Sequence, residues 1–308
     1  MITTTLRSLE RTISLAFAGT FFSGDMTFGR VMAASLLILH TRYSLIGCAG
    51  ALLTEWVSHS LTKNKSLLGS GIIPLNGLFM GLAVAAFFPD ALTAAACVAA
   101  LSVVTSLATI ISQRVLKTWD LPVLVLPYCL AFWFLQFIAS QSAVLKLTID
   151  QAAVISPDHP AAKLLSGSLA GFGQIFFAGN LWASGAVALV LLAFHRRSWS
   201  GILLAAVLPA AIARMCLGSH WGIDSGLMSF GGVLLFQAAS SGAVSLPRGT
   251  LWILIGLSGL VEAMSLKLAS TQGLFALSGS YILIAWTAKL CEEVKHARQD
   301  SKSSLMNW

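Results

Sequence analysis

Charge is scarce in this chain. Of its 308 residues only 10% are Asp, Glu, Lys or Arg, against 56% hydrophobic, and the mean hydropathy is +0.82. A water-soluble protein of this length could not hide so much apolar surface, so the composition points to a membrane protein. Paired cysteines are also missing. The five present, Cys48, Cys97, Cys129, Cys216 and Cys291, are scattered through apolar segments, which fits buried thiols rather than disulfides or a zinc site. No nucleophile-and-base pair, phosphate-binding loop or metal-ligand spacing occurs, and the six histidines stand apart. An enzyme, a metal or another cofactor therefore finds no residues to support it. The net charge of +7 comes from basic residues placed singly or in pairs between apolar runs, which suits membrane topology and not nucleic acid. A secretory leader is not expected either: Glu10 interrupts the basic start and the apolar run after it is short.

What the chain does have is a second copy of itself. Phe17-Ala18-Gly19-Thr20-Phe21-Phe22-Ser23-Gly24-Asp25 returns 155 positions later as Phe172-Gly173-Gln174-Ile175-Phe176-Phe177-Ala178-Gly179-Asn180. Gly71-Ile72-Ile73-Pro74-Leu75-Asn76-Gly77 faces Gly226-Leu227-Met228-Ser229-Phe230-Gly231-Gly232 at the same spacing. Leu121-Pro122-Val123-Leu124-Val125-Leu126-Pro127-Tyr128, followed by Trp133, faces the stretch from Leu274 to Tyr281 and Trp286 at a spacing of 153. Three blocks in one order indicate an internal duplication, a sequence mark of many membrane transporters. The first block of each copy ends in a small residue, a glycine and an acid or amide, which reads as a short re-entrant helix feeding a spanning one.

Apolar runs of about membrane length fall near 27–40, 43–58, 67–88, 91–112 and 121–140, then near 181–194, 200–217, 227–241, 250–268 and 273–290. Ten spans place both termini on one side. On that side fall Arg7, Arg11, Lys63, Lys65, Arg114, Lys117, Arg196, Arg197, Arg248, Lys289, Lys295, Arg298 and Lys302, while Arg42, Lys146, Lys163 and Lys267 fall opposite. Basic residues gather on the cytoplasmic face, so both termini are expected there, in an inner (plasma) membrane. Five spans per copy is an odd number, so the second copy enters from the other face. The expected fold is thus all-α and integral to the membrane, with two inverted five-helix repeats. Residues 1–150 form the first, 151–290 the second, and 291–308 a cytoplasmic tail.

The block at 121–128 resembles the LPxxTxPF signature of the urea transporter family, and Gln174 to Phe177 with Leu75-Asn76-Gly77 are similar to that family's other repeated elements, in the right order. The resemblance implies a half-membrane pore helix in each repeat, a central pore through each protomer, a homotrimer in the lipid bilayer, and channel-like passive conduction of urea without ion or nucleotide coupling. It also implies that Phe22 and Phe177 are constriction aromatics. Phe79 and Leu234 would line the wall four residues after an inner position held by Leu75 in one copy and Phe230 in the other.

Urea is planar and neutral, with four N–H donors and one carbonyl, so a selective slot needs flat apolar walls and acceptors along an edge. Here the chain departs from the signature. The threonine position is Val125 in the first copy and Ser278 in the second; the half-helix amide is Gln174 in the second and Gly19 in the first; Asn76 is matched by Gly231. Plainer roles exist for each: packing for Phe22 and Phe177, an interhelical bond for Gln174, a bond to its own helix for Ser278. Glu55, Glu262 and Arg214 lie in or near apolar runs without duplicated partners, and His220 with Asp224 is expected in a loop. The competing cargoes are a short amide, ammonia or water, and the competing class is a non-conducting membrane scaffold or sensor.

Overall fold

A computed structural model of the chain describes residues 2–141, 159–217, 226–271, 278–290 and 292. Among these every regular element is helical. The order is α1 (Ile2–Gly19), α2 (Met26–Leu39), α3 (Thr41–Leu61), the single turn α4 (Lys65–Leu68), α5 (Ile72–Phe87), α6 (Ala91–Lys117) and α7 (Leu126–Gln141). Then come α8 (Pro160–Gln174), α9 (Leu181–Phe194), a 3-10 turn (Arg196–Ser198), α10 (Trp199–Leu217), α11 (Leu227–Ser240), α12 (Arg248–Thr271) and a last helix, α13, at 279–290. The tail apart from Glu292, the connection at 142–158, His220 with Asp224 and residues 272–277 of the second signature lie outside the described residues.

The duplication is visible in the backbone residue by residue. Phe21 and Phe22 donate to the carbonyls of Ala18 and Gly19, and Phe176 and Phe177 donate to those of Gly173 and Gln174. Phe22 and Phe177 both take φ 56°, left-handed values that are uncommon outside glycine. Asp25 then caps α2 by accepting from Thr27 and Phe28, and Asn180 caps α9 by accepting from Ala183, each satisfying amides that a helix start leaves orphaned. Gly71 (φ 76°) and Gly226 (φ 79°) start α5 and α11 in the same left-handed conformation.

Packing repeats as well. α1 lies on α2, α3 and α5 as α8 lies on α9, α10 and α11; α3, α5 and α6 pack mutually as α10, α11 and α12 do. At the crossing of α3 on α5 the backbones touch: a Cβ at Gly77 would lie 2.5 Å from the Gly50 carbonyl oxygen, and one at Gly81 would lie 2.5 Å from that of Ile46. Small residues at such crossings let van der Waals contact replace the hydrophobic drive that lipid does not supply. The halves meet where α2 packs on α9, its own counterpart.

Several expected boundaries shift. The run 67–88 is split by the break at Gly69 to Gly71, so α5 starts only at Ile72. The run 121–140 is helical only from Leu126, because residues 121–125 are irregular and Leu124 has φ 51°. Cys48, Cys97 and Cys129 are buried as expected, but Cys216 is exposed near the end of α10. Among the described residues, Ala91–Lys117, Arg196–Leu217 and Arg248–Leu268 suffice by length and hydropathy to cross a membrane, and four shorter apolar helices accompany them. Gly77→Val should force α3 and α5 apart. The expected result is a loss of folded protein in detergent, or a melting temperature lower by many degrees, read by thermal size-exclusion; an unchanged melting curve contradicts the close crossing.

Candidate functional site

Of the nine candidate residues, Leu75, Phe79, Val125, Phe230 and Leu234 belong to one buried core cluster, and Phe22 and Phe177 pack against it. Phe22 and Phe177, each just past the end of α1 or α8, are half-buried. Phe22 packs against the main core and also against a cluster built from α10 to α13 of the other half. Phe177 packs against the main core. Between them the preceding residues touch: Phe21 and its counterpart Phe176 lie edge to face, with ring centroids 5.9 Å apart. Gln174 is half-buried at the end of α8. Its counterpart Gly19 has no side chain, and the space a Cβ would take there borders Leu75 at 3.9 Å. Loss of the amide and presence of a leucine thus occur at one spot.

Leu75, Phe79, Phe230 and Leu234 are all buried, on α5 and α11. One helix carries leucine then phenylalanine and the other phenylalanine then leucine, so each half contributes one ring and one aliphatic side chain. Phe79 stacks on Tyr128 of α7 at 5.3 Å and lies nearly parallel to Phe176 at 6.3 Å, with 2° between the planes. Phe176 also meets Phe17 at 5.5 Å. The result is a row of flat apolar faces running from α7 through α5 to α8. Ring pairs at these separations add stabilisation beyond area burial alone.

The polar groups follow from the interrupted backbone. Asn76, fully buried on α5, donates through Nδ2 to the carbonyls of Ile72 (2.9 Å) and Leu124 (3.0 Å) and accepts the Tyr128 amide through Oδ1 at 3.2 Å. It ties the irregular stretch before α7 to α5. Gly231 takes its place on α11, and the nearest atoms to a Cβ there belong to Ser258 of α12, at 3.8 and 3.9 Å. One turn along α12, the buried Glu262 accepts from Ser280 of α13 through Oε2, while its Oε1 has no partner among the described residues.

Val125 is buried in the main core. Ser278 is not left to its own helix: its Oγ is 2.6 Å from the Tyr128 hydroxyl, a bond that crosses between the halves. A second such bond runs from the Trp286 indole N–H to the Pro122 carbonyl at 2.9 Å.

Sequence reading missed Tyr128. The signal was available, because Tyr128 and Tyr281 both stand where the quoted signature ends in phenylalanine. It missed the Glu262 partnership too, which nothing in the spacing of residues 262 and 280 announces. Glu55 pairs within α3 with His59 at 3.4 Å and lines a cleft of about 500 Å³ between α1, α3 and α5. A second cleft, about 470 Å³ and almost wholly apolar, lies between α6 and α7. Neither contains any of the nine candidates. No cluster of potential metal ligands occurs among the described residues.

A helical unit present twice, broken at matching points and joined through aromatic rings and inter-half hydrogen bonds, is a construction typical of membrane transporters. Comparison with known proteins narrows the class: the family profile described as "Urea transporter" matches residues 11–293, and the chain belongs to the urea transporter family. That family consists of integral membrane transporters, not enzymes. Similar curated proteins are urea transporter 1 of Ovis aries, 26% identical over 228 residues, and urea transporter 1 of Capra hircus, 26% over 226. Urea transporter 1 of Mus musculus is 24% identical over 233 residues. Each match covers 67% of this chain and 53% of the relative, so the chain spans about half the length of the curated relatives it matches.

The clamp at Asn76 can be tested directly. Asn76→Ala leaves the Leu124 carbonyl and the Tyr128 amide unpaired in a buried place. At roughly 1–3 kcal/mol for each buried group left unsatisfied, the variant should lose about 2–6 kcal/mol. Denaturant titration in detergent micelles measures it, and a loss below about 0.5 kcal/mol contradicts the assigned role.

Proposed function

We propose that this chain conducts urea down its gradient through a path between its two repeats, without a coupling ion or nucleotide. What supports the reading most is the family profile over residues 11–293, together with relatives that are named urea transporters. The two repeats run in opposite directions across the bilayer and both termini face the cytoplasm, in keeping with the distribution of arginine and lysine. Contact between Phe21 and its own counterpart Phe176 supports a two-fold relation, since a residue at a two-fold axis meets its equivalent. Three such protomers associate, each with its own path.

In this path Phe22 and Phe177 form the narrow walls. Leu75 and Phe79 from one half, with Phe230 and Leu234 from the other, extend the walls toward the middle. Flat apolar faces exclude hydrated ions, whose desolvation in an apolar slot costs far more than that of a neutral amide. Gln174 and Ser278 supply hydrogen-bonding atoms along the edge, while Val125 and Gly19 supply none. Urea is therefore held mainly by groups of the second repeat. Ser278 retains capacity for a solute while bonded to Tyr128, because a hydroxyl has one donor and two acceptor sites.

Reconstitution into proteoliposomes with stopped-flow light scattering tests the reading. Urea flux should exceed that of empty liposomes and exceed the fluxes of acetamide, ammonia and water through the same protein; equality with empty liposomes sinks it. Ser278→Val should lower urea flux by about two- to tenfold, the equivalent of a hydrogen bond worth about 0.5–1.5 kcal/mol. Val125→Thr should lower it less. The reverse order would remove Ser278 from the path.

A further inference from the structure

We propose that the phenol of Tyr281 is a hydrogen-bonding site for the conducted amide, at the post on the first-repeat side that Val125 leaves empty. The inference rests on the conduction reading above and adds a residue to it. Its starting point is the bond between Tyr128 and Ser278, 2.6 Å long, which joins α7 to the start of α13. Tyr128 corresponds to Tyr281 and Val125 to Ser278, both at a spacing of 153. The reciprocal of the observed bond is therefore a contact of Tyr281 with residue 125.

Reciprocity between the two signatures is supported by their tryptophans. Trp286 donates to the carbonyl of Pro122 in the first signature, and the ring of its counterpart Trp133 lies 3.4–3.5 Å from where a Cβ on Gly279 of the second would stand. Each tryptophan thus lies against the other copy's signature. Val125 cannot complete the second tyrosine bond, for it has no polar side-chain atom. The hydroxyl of Tyr281 is correspondingly without a partner among the described residues, although the residue is only 3% exposed. Val125, Tyr128, Phe79 and Tyr281 all belong to the main core cluster.

Buried hydroxyls are ordinarily paired, and one left unpaired is unfavourable. A passing small amide removes the deficit: its carbonyl oxygen accepts from the phenol, or its N–H donates to it. The bond is made only while solute is present. Opposite it, the Tyr128–Ser278 pair is already formed. Asymmetry between the repeats thus yields one occupied post and one vacant post, with the vacant one reserved for solute.

Tyr281→Phe removes a single oxygen and separates the possibilities. Urea flux in proteoliposomes should fall by about three- to tenfold, while the melting temperature stays the same or rises, since an unpaired buried hydroxyl is gone. In a Val125→Thr background, where threonine gives the phenol a protein partner, Tyr281→Phe should change flux less than about twofold, a coupling that a double-mutant cycle reads. Wild-type flux with no change in Tyr281→Phe overturns this inference and leaves the conduction reading standing. Equal losses in both backgrounds also overturn it. A wild-type chain without urea flux overturns both.

Discussion

A backbone that stops being helical within apolar surroundings must hand its amides and carbonyls to another group, since neither lipid nor a dry core will take them. Asn76 meets that demand for the stretch before α7. Its amide reaches one turn back along α5, across to Leu124 and on to Tyr128, so one side chain fixes the direction in which α7 starts. Tyr128 is then placed against Phe79 and within reach of Ser278. The stacking of Phe79 on Tyr128 and one of the hydrogen bonds between the halves both rest on that placement. Without it, Phe79 would keep its position on α5 and lose the partner that gives its face a use.

The second repeat carries different atoms at the matching positions. Gly231 brings no amide, the proline at the end of the signature has become Ser280, and a carboxyl from α12 bonds that serine. These three departures look like independent losses when read along the chain. In space they form one local rearrangement beside the N-terminal turn of α13.

Much of this was legible beforehand because the informative features are backbone features with sequence signatures. Gly71 and Gly226 occupy positions where a left-handed residue starts a helix, and Asp25 and Asn180 are ordinary cap residues. The spans at 181–194 and 227–241 follow from apolar runs ended by polar residues and agree with α9 and α11 to within a residue. Illegible parts have physical reasons. Leu124 is left-handed, a state for which leucine carries no signal. The start of α7 was hidden because residues 121–125 are as apolar as the helix after them, and hydropathy does not register that a backbone is broken. Exposure of Cys216 depends on how α10 ends among its neighbours. The cross-half bond of Tyr128 needed coordinates, since the sequence separation of 150 residues conveys nothing about proximity.

Phe22 and Phe177 share one more property. A side chain on a left-handed residue is hemmed in by its own backbone, and such a turn costs on the order of 1–2 kcal/mol that its surroundings must offset. The backbone at both residues is thus confined to one sparsely populated conformation by what packs around it. On the proposed conduction path, two rings carried on so confined a backbone would frame an aperture that has no hinge at either peptide.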